Sequence, residues 1–100
     1  MTIYPENDNL ITLSNLKDQA GNVIVNTAIV TYELLKSDGT SVDAGSMDYV
    51  SGSEGRYETI LEDGLPIVVG VTYKLVIIAT AGGDTVGKWT KNLTARNRTL

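Results

Sequence analysis

The sequence predicts an all-β protein: a single antiparallel β-sandwich of about seven strands, with a small β-barrel as the alternative. Three observations carry this expectation. Val, Ile, Leu and Tyr supply most of the apolar content, with no Phe and one Trp, and such residues fit a pleated, half-buried surface. Apolar and polar residues alternate with a period of two in several stretches, and none shows a helix-length pattern with a period of about 3.6. Turn-forming clusters recur about every eight to twelve residues.

Taken in order, the opening "MTIYPENDN" is polar and reads as an extended N-terminal arm over residues 1–9, ahead of a domain spanning 10–95. "LITLSNL" alternates, with Leu10, Thr12, Ser14 and Leu16 on one face and Ile11, Leu13 and Asn15 on the other. "KDQAGN" (17–22) is a turn cluster. "VIVNTAIVTYELL" follows as a strand with Ala28, Val30, Tyr32 and Leu34 inward. "SDGT" (37–40) reads as a hairpin turn, because Asp-Gly tolerates positive φ. "SMDYV" is a short strand, and "SGSEG" turns the chain into "RYETIL", where Tyr57, Thr59 and Leu61 oppose Arg56, Glu58 and Ile60. After "EDGLP", "VTYKLVIIATA" is the longest strand, with Tyr73, Leu75, Ile77 and Ala79 on one face. Val76 and Ile78 make its second half apolar on the other face too, as for a strand that is central or covered by a partner. "TVGKWTKNLTA" closes the domain, alternating Trp89 and Leu93 with Lys88, Thr90 and Asn92, and 96–100 is a basic tail. Trp89 is expected in the core.

Composition narrows the chemistry. With no Cys, the chain has neither disulfides nor thiolate metal sites, and with no His it lacks the usual general base near neutral pH. No apolar run is long enough to span a membrane, and "MTIYPENDN" lacks the basic and apolar parts of a signal peptide. Charge is unevenly placed. Residues 1–84 hold twelve acids against four bases, a net −8, while 85–100 hold Lys88, Lys91, Arg96 and Arg98 with no acid, a net +4. Those four cations are the candidate protein-interaction residues, a basic strand and tail suited to an acidic surface. The acidic remainder repels phosphate, so no nucleic-acid partner is expected.

One motif demands a test. Gly82, Gly87 and Lys88 spell Gly-x-x-x-x-Gly-Lys, but Trp89 stands where a phosphate-binding loop needs Ser or Thr for magnesium. The following residues alternate as a strand and do not form a helix whose N-terminus would hold phosphate. A β-hairpin at Gly82-Gly83-Asp84 is the expected structure, with Gly87 as a bulge or close-packing site. The acids Glu6, Asp8, Asp38, Asp43, Asp48, Glu54 and Asp84 fall in or beside turns without calcium-loop spacing. No Ser-x-x-Lys pair occurs to activate a nucleophile. No catalytic residue, cofactor, metal or small-molecule substrate is expected.

Two resemblances follow from the placed turns. "DQAGNVIVNTAIVTYEL", "SEGRYETIL" and "GVTYKLVIIA" resemble the successive strands of prealbumin-like and collagen-adhesin-B-like sandwich modules. Such modules carry Lys–Asn isopeptide bonds, for which Lys17 and Asn92 would be the partners. The strand that should supply the catalytic acid reads "TYKLVII", without a Glu, so the bond is not expected. "GSEGRYETILEDGLPIVVGVTYKL" and "GKW" look similar to small Ig-like structural proteins of tailed bacteriophage particles. That resemblance implies a non-enzymatic virion protein assembled in the host cytoplasm, at the capsid surface or head–tail neck. It would be present in several copies, with capsid or neck proteins as partners and no membrane. The alternative is an extracellular or appendage module that binds a protein or carbohydrate.

Overall fold

A computed structural model describes residues 2–18, 21 and 23–98, and these are all-β. Nine strands run in chain order: β1 (Thr2–Ile3), β2 (Asn9–Leu13), β3 (Lys17–Asp18), β4 (Val23–Ile24), β5 (Ile29–Lys36), β6 (Ser41–Tyr49), β7 (Tyr57–Leu61), β8 (Thr72–Ala81) and β9 (Asp84–Ala95). Seven form one continuous, nearly closed sheet in the order β1-β9-β8-β5-β6-β7-β2, and β3 pairs only with β4. No helix among the described residues is long and apolar enough to cross a membrane.

The expected antiparallel pairing needs one correction. β1 runs parallel to β9, with Thr2 opposite Thr94 and Ile3 opposite Ala95, so the sheet is mixed. Thr2 and Ile3, within the segment read from sequence as an arm, lie against the domain at that point, and Ile3 is buried. β-Branched Thr2 and Ile3 suit a strand, and the Ile3 carbonyl accepts the Arg96 N–H at 3.0 Å.

Alternation places the core. Val30, Tyr32 and Leu34 of β5 face the same way as Tyr73, Leu75, Ile77 and Ala79 of β8, and all are buried. With Met47, the ladder neighbour of Val30, and with Ile11, Tyr57 and Leu61 they form one apolar cluster. Each such side chain removed from water contributes about 1.5–3 kcal/mol. β6 joins the two walls. Its residues from Ser41 to Met47 pair with β5, and Asp48 and Tyr49 pair with β7. A register shift between Leu34 and Leu35 leaves Val42 as an extra residue, a bulge that adds local twist.

Turns and tyrosines fix the ends. Gly39 has φ 90° in the β5–β6 hairpin, and Thr40 N–H donates to Asp38 Oδ1 at 2.9 Å. That backbone bond, with the Thr40 hydroxyl, holds the Asp38 carboxyl below the usual carboxylate range. After β2, Asn15 has φ 56°, which rotates the chain and returns Leu16 to the interior. Leu16 then donates to the Gly55 carbonyl at 2.9 Å, and a Cβ on Gly55 would lie 2.7 Å from Leu16 N. The buried Tyr57 hydroxyl donates to Val25 O and accepts from Ala28 N, pinning the entry to β5. The Tyr73 hydroxyl accepts the Val68 N–H at 2.9 Å, pinning the β7–β8 connection.

Candidate functional site

The four candidate cations do not share one patch. Directly opposed residues of neighbouring strands share a sheet face. Lys91 stands opposite buried Leu75, and Trp89 opposite buried Ile77, so both sit on the inward face of β9. Lys88 stands opposite Ile78 on the outward face. Arg96 and Arg98 follow the strand's far end, and eight residues of strand put Arg96 about 26 Å from Lys88. The Arg98 guanidinium lies 5.6 Å from the Tyr4 ring centroid. Lys88 and Lys91 are both exposed.

Trp89 corrects the expectation of a core tryptophan. It faces inward, as the alternation predicts, yet is 39% exposed. The covering wall ends short of it. β2 contributes Ile11 and Leu13 to a groove whose other side is Leu75, Ile77, Trp89 and Lys91, with a volume of about 340 Å³. The indole folds back over Gly87, where a Cβ would come within 2.2 Å of the ring. Gly87 is therefore a close-packing site, and the extra residue of the β8–β9 register shift is its neighbour Val86.

The phosphate-loop spacing resolves as a hairpin. Gly82 and Gly83, with φ 61° and 85°, turn β8 into β9 with the two positive values that a type I′ turn requires. Lys88 then sits within a strand, with no helix N-terminus beside it. Lys17 is on β3 and Asn92 on β9, and among the described residues no hydrogen bond joins them.

Sequence reasoning missed two groupings. Asp8, Glu62 and Asp63 bring carboxylate oxygens within 4.8 Å of one another at an exposed site, and Asp63 N–H donates to Asp8 Oδ1 at 3.0 Å. Asp8 and the pair Glu62-Asp63 lie far apart in the chain, so spacing gave no signal. On the outer face of β2, β6 and β7, exposed Leu10 and Ile60 are bordered by Asp48, Glu58 and Glu62. The molecule thus carries an apolar patch with acids and an apolar groove with a lysine. Comparison with protein-family models, curated proteins and solved structures finds no match to this chain.

Proposed function

We propose that this chain is a non-enzymatic structural protein that acts through protein–protein contacts on a larger assembly, in several copies. Its likeness to small Ig-like phage-particle proteins makes that assembly a tailed-phage virion, at the capsid surface or head–tail neck. The observation that carries the contact role is the groove at Trp89. A large aromatic side chain on an inward-facing row stays exposed beside a lysine that has no ion-pair partner among the described residues. Trp is among the side chains that most often anchor protein interfaces when a partner closes a pocket around it.

The finer reading of the fold is an Ig-like sandwich. β2 and β7 make one wall and β5, β8 and β9 the other, as B-E and C-F-G do in that fold, with β6 pairing first to β5 and then to β7. Tyr73, at the start of β8, bonds the backbone five residues upstream, which is a tyrosine corner. The flattened shape, 41 × 30 × 18 Å, supports two layers over a round barrel.

Mass spectrometry of purified virions tests the function. The chain is expected at a copy number fixed relative to the capsid or neck proteins. Its recovery only from a secreted or cell-surface fraction would support the appendage alternative and overturn the virion reading.

A further inference from the structure

We propose that the upper edge of β9, from Lys88 to Asn92, is a docking site for an extended segment of a partner polypeptide. The segment would add to the sheet as a strand, with apolar residues and an acid on its inward face. This deepens the protein-contact reading above by naming the surface and the mode of binding.

The argument starts from backbone direction. Arg96 N–H donates to Ile3 of β1, while Ala95 N–H donates to Val71 on the β8 side. N–H and C=O groups alternate sides along a strand, so those of Lys88, Thr90 and Asn92 point the same way as Arg96. β1 is only two residues long and pairs with Thr94 and Ala95, so no described strand pairs with β9 on that side above them. The β3–β4 hairpin comes near β9 without forming a ladder with it. Among the described residues no hydrogen bond reaches the six N–H and C=O groups of Lys88, Thr90 and Asn92 that point away from β8, which makes them a template for another strand.

The groove supplies the side-chain half of the site. A strand laid there would continue the line of β1, and its inward side chains would fall beside Trp89 and Lys91, against Ile11, Leu13, Leu75 and Ile77. Main-chain bonds then give affinity, and alternate side chains give selectivity. Charge selects the occupant. Lys91 lines the groove, is exposed and has no ion-pair partner among the described residues, so an acid on the incoming strand would pair with it. A second copy fits worse. Pairing two β9 edges would bring like charges together, and β2, the other terminal strand of the sheet, has no acid over Asn9–Leu13.

The test uses the full chain and a capped peptide, Thr-Val-Thr-Glu-Thr-Val-Thr, whose pattern reads the same in either direction. Titration followed by amide NMR should give saturable shifts at Lys88, Thr90 and Asn92 and a blue-shift of Trp89 emission. Replacing the peptide's glutamate with lysine should weaken binding roughly tenfold or more, as expected for a partly desolvated charge pair. Thr90→Pro removes one open N–H without touching the β8 ladder and should weaken binding similarly in a folded protein. Lys91→Glu should reverse the preference toward the lysine peptide. No shift at millimolar peptide would overturn the proposal, and so would equal binding of both peptides by native protein. The same shifts produced by raising protein concentration alone would assign the edge to a second copy and overturn the proposed partner. Peptide binding by a chain missing from virions would sink the virion reading alone, and virion incorporation by Thr90→Pro that is unimpaired would sink the edge site alone.

Discussion

The two halves of β9 share one strand, one alternation and one interior, yet they end in different environments. At the lower end Leu93 and Ala95 are buried, at 1% and 0% exposure, with β1 beside them. At the upper end Trp89 and Lys91 face the same way and are exposed, with no described strand pairing to β9 there on the side away from β8. The period of two decides which way a side chain points. Whether it is then buried depends on the neighbouring strand and the opposite wall. A tryptophan placed by alternation alone is assigned to the core. The short β1 and short β2 leave it at the mouth of a groove.

The largest expected effect lies at the covered end. Leu93→Ala should cost about 3 kcal/mol, because the side chain is enclosed and its cavity cannot collapse fully. Chemical denaturation would measure this as a lower midpoint with an unchanged slope. A loss below about 1 kcal/mol would break the contrast between the two halves.

The covered interior also predicts a pH dependence. The Tyr32 phenol is pushed up to about 12, first by burial and then by its hydrogen bond to Asp43, 2.7 Å away, and the carboxylate charge. In the unfolded chain it ionises near 10. Below pH 10 both states keep the proton, and the contribution is constant. Between pH 10 and 12 only the unfolded chain releases it, so stability should fall there, by about 1–2 kcal/mol once solvent screening of the hydroxyl is discounted. Denaturation curves across that window should show the decline, and Tyr32→Phe should remove that part of it. An identical decline in the variant would assign it to other groups.

Trp89→Ala should cost about 1–2 kcal/mol, less than the roughly 3–5 kcal/mol of a fully enclosed aromatic, since the indole keeps more than a third of its surface in water. Native fluorescence should be close to that of a solvated indole. A loss of about 3 kcal/mol or more would return Trp89 to the core and close the groove.

Much of the fold was legible because it follows from local rules. The inward rows of β5, β7 and β8 come from alternation, and the turns at Asp38-Gly39 and Gly82-Gly83 come from residues that accept positive φ. What stayed hidden depends on contacts between distant segments. Nothing in "MTIYPENDN" announces that Ile3 pairs with Ala95, or that Asp8 meets Asp63. Asn15 was read as one more alternating position, and its positive φ is what carries Leu16 to the interior. Of the candidate site, Lys88, Lys91, Arg96 and Arg98 were visible as a charge run. Strand geometry divides them among a groove, an outer face and a tail, and the open backbone edge leaves no trace in side-chain identity.

Amide hydrogen exchange along β9 tests the central claim most directly, because one strand then reports on both of its neighbours. In the free protein, Trp89, Lys91 and Leu93 should be protected by the β8 ladder, and Arg96 by Ile3. Lys88, Thr90 and Asn92 should exchange many-fold faster, giving an alternating pattern over Lys88–Leu93. Uniform protection from Lys88 to Leu93 would show that the edge is already covered and would contradict the account.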